Sequence, residues 1–307
     1  MTAGPPDLVL AVDVGGTTTK AEITDAAGTV LTTGTIPTPH GPAAFDAIED
    51  LGDRLLTELP AAQRIRVDRA AVVLPGIVDP VGARAVFSSN IGWRDVPLGD
   101  RFTARWRVPV LLEHDVTVAG WAEWRHGAGR GHDNVCVLIL GTGLAGILAV
   151  AGRLIRSGPG EAGEYGHIPI RPHDGLPCPC GNVGCVETVA AGGAIARAYT
   201  ARTGHDIPSA ATVFERAPHD PIARAVIDDA VDALATGLLG ILHATRVDLI
   251  VLGGGLSGAG DILTTALHTD LSRRLRVVPV PAVTLGAFGI RAGLIGAAHY
   301  ARAGALE

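Results

Sequence analysis

HIPIRPHDGLPCPCGNVGCVE, His167 to Glu187, is the stretch that decides how the rest of the chain is read. Three of the four cysteines in the sequence, Cys178, Cys180 and Cys185, gather beside His167. Thiolate sulfur and imidazole nitrogen are the ligands a zinc ion prefers, and a Cys3His set fills a tetrahedral sphere. A filled sphere has no open position for a catalytic water, so the ion expected here is structural. Gly181 and Gly184 let the backbone bend far enough to bring the thiols together. The plainer alternative is a Pro- and Gly-rich loop with buried or disulfide-bonded cysteines. The gathering of thiols beside a histidine favours metal.

The flanks of this knot carry polar chemistry. GEYGH, Gly163 to His167, precedes it and Glu187 closes it. If zinc takes one nitrogen of His167, the other becomes a fixed N–H donor. That donor, with the carboxylates of Glu164 and Glu187 as acceptors, suits a ligand rich in hydroxyl groups, such as a sugar. Either glutamate alone would read as surface charge.

Composition sets the outer bounds. The 307 residues allow two domains with sizeable cores, and 47% hydrophobic residues exclude a disordered chain. Aromatic residues are only 4%, so aliphatic side chains must fill the interior. A formal charge of −6 argues against nucleic-acid binding through a basic patch. Four cysteines do not make a disulfide scaffold at this length, and Cys136, in VCVLIL, reads as a small buried hydrophobe. The N-terminal apolar run LVLAV stops at Asp13, without the pattern of a signal peptide. No uncharged apolar run approaches membrane-spanning length. A cytoplasmic protein with no membrane partner is expected.

Outward from the knot, two glycine turns repeat one plan. Leu8 to Val12 reads as a buried strand, followed by Asp13 and then Gly15-Gly16-Thr17-Thr18-Thr19-Lys20. The glycines permit a tight hairpin whose N–H groups can face a phosphate, and the threonine hydroxyls can add donors. Asp13 can hold Mg2+, usually through water. Val135 to Ile155 is a second strand–turn–strand, turning at Gly141-Thr142-Gly143. A plain β-hairpin would explain either turn alone. Two of them, one in each half, suggest two related lobes around one polyphosphate. VDLIVLGGGLSG ends a further strand in Gly253-Gly254-Gly255, which allows close approach of a flat ligand such as adenine; a strand-to-helix turn is the plainer reading.

Helices are expected over residues 42–59, 188–203 and 287–302, and after Asp220, which precedes Pro221. RAAVVLPGIVDP reads as a strand running into a turn at Pro75-Gly76, and Asn90 lies in the loop SSNIGW. Asp115 falls where a strand ends and a helix begins. It reads either as a helix cap or as an ionised carboxylate able to accept a proton from a substrate hydroxyl. The order of elements suggests an α/β fold built twice.

These pieces, in this order, resemble the ROK family (repressors, open reading frames and kinases), and in particular its glucokinase-like sugar kinases. DVGGTTTK resembles the family's first phosphate turn, LGTG its second and LGGGLS its adenosine turn. LPGIVD, SSNIGW, EHD, GEYGH and CPCGNVGCVE fall where its sugar and zinc motifs fall. The resemblance runs along almost the whole chain, and the zinc knot is its most specific part. It implies a two-lobed actin-like ATPase fold: a small lobe of residues 1–112 plus 289–307, and a large lobe of residues 113–288 carrying the zinc loop. Sugar and ATP are expected between the lobes, and the assembly is expected to be a homodimer.

Carried over by position, Asp115 matches the family's catalytic base, which takes the proton of the primary (6-) hydroxyl as that oxygen attacks ATP. Gly76, Asn90, His114, Glu164, His167 and Glu187 match sugar-binding positions. His167, Cys178, Cys180 and Cys185 match the zinc ligands. ATP and Mg2+ are implied at Asp13, at Gly15 to Lys20 and at Gly141 to Gly143, with Gly253 to Gly255 at the adenosine. The family usually reads E-N-D-x-N around the base, whereas here Glu113-His114-Asp115-Val116-Thr117 stands. The change at His114 falls where C3 and C4 of the sugar should be read. It points to glucose or a glucose-like hexose altered there: a 3-amino sugar such as kanosamine, whose ammonium Glu164 could pair, or a cyclitol. A DNA-binding repressor of this family carries a helix-turn-helix ahead of the first turn, and only about a dozen residues precede Asp13, fewer than that module needs. A catalytically silent sugar sensor is the remaining alternative, against which both phosphate turns and Asp115 are intact.

Overall fold

A computed structural model describes residues 7–64, 66–156, 163–256 and 260–306. Ser257 and Gly258, at the end of the LGGGLSG stretch, lie outside the described residues. The chain divides into two compact units. Of the described residues, 7–122, 156 and 291–306 form the first, and 123–155 and 163–290 the second.

The first unit begins with β1 (Leu8–Val14), β2 (Thr18–Asp25) and β3 (Val30–Pro37), then α1 (Ala43–Glu58) and a short turn of helix, α2 (Ala61–Arg64). β4 (Val67–Leu74), β5 (Ile77–Asp79), β6 (Arg84–Ser88), β7 (Trp93–Val96), α3 (Leu98–Trp106), β8 (Val110–His114) and α4 (Asp115–Arg125) follow. Its main sheet has the order β3-β2-β1-β4-β8. β1 is central, antiparallel to β2 and parallel to β4, and successive residues are buried on both of its faces, which is why it is apolar almost throughout. β3, at the edge, is exposed or half-exposed along its length. β5, β6 and β7 make a separate small antiparallel sheet.

The second unit contains β9 (Val135–Leu140), β10 (Leu144–Val150), β11 (Arg153–Leu154), α5 (Glu187–Ala190), α6 (Gly192–Thr203), α7 (Ala210–Arg216), α8 (Pro221–Thr245), β12 (Leu249–Gly253), α9 (Asp261–Arg274) and β13 (Ala282–Leu285). Its sheet has the order β11-β10-β9-β12-β13. The plan repeats: the first strand is central, an antiparallel hairpin extends one side and parallel strands the other. α8 starts as its sequence predicts, with Pro221 at the first position and the Asp220 carboxylate accepting from the N–H groups of Ile222 (2.8 Å) and Ala223 (3.2 Å). The chain then returns to the first unit as α10 (Ala292–Ala303), which lies against β1 and β4. Each unit has its own, largely aliphatic core.

Several expectations are corrected. The division expected at residues 112 and 113 falls instead between Ala122 and Glu123, inside α4. The start of α4 stays with the first unit because the backbone of Val118 meets Gly296 of α10, and Arg156 joins the same unit through a 2.6 Å ion pair to Glu113. The helix expected over 188–203 is broken: Ala191 is extended, and the Gly192 N–H donates to the Gly141 carbonyl at 2.9 Å. The last helix begins five residues later than expected, at Ala292 and not Ala287. The N–H groups of Ala287 and Phe288 go instead to the carboxylate of Glu123, at 2.8 and 2.7 Å.

Candidate active site

In the first unit, three strands that run parallel, β1, β4 and β8, end at one edge of the sheet. Asp13, the Pro75-Gly76 turn and Asp115 therefore share that edge, where open α/β sheets bind their ligands. The turn after β1 is closed by Gly15 N–H donating to the Thr18 carbonyl at 3.0 Å. Thr38 supports it from β3's end, its N–H on the Thr17 carbonyl (2.9 Å) and its hydroxyl on the Gly15 carbonyl (2.8 Å). Of the expected hydroxyl donors, Thr19 is corrected. Strand alternation turns it inward, fully buried, and its hydroxyl meets that of Thr38 at 2.9 Å. Thr17 and Gly16 are exposed, and Asn90 lies against Gly16.

Asp13 pairs across the strands with Lys20. Burial, and next the nearby charge of Asp115, push the Asp13 carboxyl up from 3.8 to about 7, with Lys20 opposing them. Its carboxylate rests on the first turn of α10 at Gly293, where an added Cβ would stand 2.5 Å from Oδ2. Two carboxylates in excess over one lysine are an oxygen donor set of the kind Mg2+ takes, and a divalent cation would offset their repulsion.

Asp115 is the first residue of α4, and its Oδ1 accepts from the Val116 N–H at 2.7 Å. His114 is buried, with Nε2 3.2 Å from Asp115 Oδ1 and Nδ1 3.2 Å from Thr117 Oγ1. The side chain expected to read a sugar is thus engaged by the protein on both ring nitrogens. Glu113, also buried, is paired with Arg156 at 2.6 Å. Gly76 forms the turn between β4 and β5, against the Phe87 carbonyl.

In the second unit the four expected zinc ligands converge. One ligand atom from each of His167, Cys178, Cys180 and Cys185 lies within 4.8 Å of the others. Cys178 Sγ is 3.5 Å from His167 Nδ1, and Cys180 Sγ is 3.8 Å from Cys185 Sγ. With zinc bonds of about 2.3 Å to sulfur and about 2.0 Å to nitrogen, tetrahedral angles give ligand edges of about 3.5 Å (S to N) and about 3.8 Å (S to S). Both edges match. No disulfide joins the thiols, since all four cysteines are free. Nδ1 is therefore the nitrogen that would take a metal, and Nε2 turns to Glu164, 3.8 Å from its Oε2.

The glycine turns of this unit lie at the ends of the adjacent parallel strands β9 and β12. Gly254 adopts φ +82°, and an added Cβ would stand 2.6 Å from the Leu140 carbonyl, so only glycine lets the two turns meet. Gly255 faces open space, and Thr142 is exposed. Glu187 opens α5, and its Oε2 accepts from the Leu144 N–H at 2.9 Å, beside Gly143. The His167–Cys185 cluster and the Gly141–Gly143 turn are thereby joined through one carboxylate. The sequence reading missed this tie, the Thr38 support and Gly293, because each depends on contacts between residues far apart in the chain.

The ROK family profile matches residues 9–303. A glucokinase of Streptomyces coelicolor is 34% identical over 319 residues, covering 96% of this chain and 98% of that one. An N-acetylmannosamine kinase of Yersinia pseudotuberculosis is 32% identical over 305 residues, with the same coverage of 96% and 98%. Among solved structures, a ROK family glucokinase from Streptomyces griseus in complex with glucose and AMPPNP superimposes with a TM-score of 0.81 at 31% identity, covering 96% of this chain and 99% of that one. With sheets of matching strand order, a Cys3His cluster at zinc spacing and a profile match over nearly its full length, the chain belongs to the ROK family and has the two-lobed actin-like ATPase fold.

Proposed function

We infer that this chain is an ATP-dependent sugar kinase that transfers the γ-phosphoryl group of ATP to the primary hydroxyl of glucose or a glucose-like hexose. The observation that carries the reading is the placing of Asp13 and Asp115 at one edge of one sheet, close enough for one charge to raise the pKa of the other. Phosphoryl transfer requires a base for the acceptor hydroxyl and a means of offsetting phosphate charge. The glucokinase relatives, and the bound glucose and AMPPNP in the Streptomyces griseus enzyme, support the same acceptor and donor classes.

In this reading Asp115 takes the proton of the primary hydroxyl as its oxygen bonds to the γ-phosphorus. The bond from that phosphorus to the bridging oxygen breaks, and ADP leaves with the electron pair. Asn90, Glu164, Glu187 and the Nε2–H of His167 hold the ring hydroxyls. The turns at Gly15 to Lys20 and at Gly141 to Gly143 would meet the phosphates through their exposed residues, Gly16, Thr17 and Thr142, and Gly253 to Gly255 would lie along the adenosine. Mg2+, held near Asp13, supplies charge compensation for the phosphates. Zinc on His167, Cys178, Cys180 and Cys185 fixes the orientation of the imidazole and the entry to Glu187.

A finer reading makes the acceptor a 3-amino sugar such as kanosamine. What supports it is Glu164, half exposed beside His167, whose carboxylate has capacity for an ammonium. ADP release measured over glucose, mannose, N-acetylmannosamine, kanosamine and a cyclitol ranks these acceptors. Asp115→Asn keeps the shape and loses the base, so kcat for the best acceptor falls at least ~100-fold with the fold intact. A chain that turns over none of these acceptors, or an Asp115→Asn variant near wild-type turnover, overturns the reading.

A further inference from the structure

The two positions at which the chain leaves the family's E-N-D-x-N pattern meet in space. Nδ1 of His114 is 3.2 Å from the hydroxyl of Thr117, and Nε2 is 3.2 Å from Oδ1 of Asp115. His114 and Thr117 are each 8% exposed, so water competes little for these contacts. An ionised carboxylate only accepts, which places the proton on Nε2. In the neutral ring Nδ1 is then the acceptor, and the hydroxyl of Thr117 donates to it. Oδ1 of Asp115 also receives the Val116 N–H at 2.7 Å. Two donors of different origin, one main chain and one side chain, thus converge on the same oxygen.

We propose that Thr117, His114 and Asp115 form one hydrogen-bonded line in which His114 positions the base: Thr117 sets the ring tautomer, the ring holds Oδ1, and Oδ2 receives the substrate proton. The proposal rests on the kinase reading above. It gives His114 a different task from the one its sequence position suggests, since a ring with both nitrogens engaged inside the protein does not read C3 or C4. It also accounts for the two departures occurring together. An asparagine at 114 has no second ring nitrogen for a hydroxyl at 117 to orient, whereas a histidine does.

Steady-state kinetics on the full chain with several hexoses test it, using His114→Ala, Thr117→Val, the double variant and Thr117→Ser. Removing His114 lowers kcat by about 10- to 100-fold, the range seen when a group orienting a functional side chain is lost. KM for sugar and for ATP stays within about threefold, as expected when an interaction specific to the transition state is removed. The factor is the same for every sugar. Thr117→Val lowers kcat less, the double variant is no worse than His114→Ala, and Thr117→Ser recovers what Thr117→Val loses, because the residues act as one unit. Should His114→Ala fail to fold, His114→Asn serves, with an unchanged ranking of sugars as the expected result. A selective rise in the KM of one sugar, a re-ranking of sugars, or independent multiplying losses at 114 and 117 overturns the proposal. The outcomes separate the claims: if the wild type turns over no sugar the kinase reading falls, if Asp115→Asn is inactive while the losses multiply only the positioning role falls, and if Asp115→Asn is active Asp115 is not the base and the positioning role falls with that assignment.

Discussion

Replacing Asp13 by asparagine removes a charge that the folded chain holds at a disadvantage. In the folded state its carboxyl is raised from 3.8 to about 7, chiefly by burial and next by Asp115. The folded chain therefore binds this proton more tightly than the unfolded chain does. The stability it contributes is fully present below about pH 4 and is lost as pH rises through about 7. Linkage of about 1.4 kcal/mol per pH unit over that window gives an upper bound of about 4 kcal/mol. An asparagine stays neutral, so in Mg2+-free buffer Asp13→Asn should exceed the wild type by up to about 4 kcal/mol near pH 8, with the gap closing toward pH 4. Titrating groups other than Asp115 and Lys20, which interact with Asp13, are common to both proteins and cancel in the difference. Denaturant unfolding at matched pH values measures the gap, with no chelator present so that the cysteine knot keeps its metal. Mg2+ added near pH 8 should raise the stability of the wild type and leave Asp13→Asn unmoved, since a ligand stabilises the state that binds it. The reasoning fails if Asp13→Asn is no more stable than the wild type at pH 8, or if the gap is independent of pH.

Two further outcomes are expected. Purified protein should hold about one zinc per chain, and Cys180→Ser should lose metal and thermal stability together, because binding at such a site is coupled to folding; full stability in a metal-free protein would refute a structural ion. Glu123, 0% exposed, accepts from the N–H groups of Ala287, Phe288 and Ala128. Glu123→Ala strands these donors and should destabilise by about 3–5 kcal/mol, read by urea unfolding, on the scale of about 1–3 kcal/mol for an unsatisfied buried group. A loss below about 1 kcal/mol would show that water replaces the carboxylate at little cost.

Much of the fold was legible because its signals are local. The apolar runs LVLAV, VCVLIL and LIVL are central strands, and the Asp220-Pro221 start is a helix signal that needs no tertiary knowledge. The zinc set was legible from chemistry and spacing, and the converging thiols accord with it. What escaped was set by partners distant in sequence. The break at Ala191 depends on Gly141, and the late start of α10 on Glu123. β7 escaped for another reason: SSNIGWRDVPL carries turn residues and charges over a short span, and a four-residue strand leaves no clear alternation to read. His114, the last residue of β8, precedes α4 by one position, and Thr117 lies in the first turn of that helix, close enough for the two side chains to meet. That contact could have been read from the sequence had the two departures been considered as a pair.

The return of α10 to the sheet begun by β1 has a consequence for the order in which the protein is made. The second unit is nearly continuous in the chain, and its sheet and helices are all present once residue 290 has been synthesised. The first unit starts to emerge earlier but lacks the helix that lies against β1 and β4 until residues 292–303 have been made. Until then the apolar strands of β1 and β4 are without their closing helix, and Asp13 is without Gly293 beside it. Domains that fold as units during synthesis usually do so from the N-terminus. Here the unit whose strands are translated first closes only after the second unit has been made, so β1 and β4 wait uncovered through the whole of that interval.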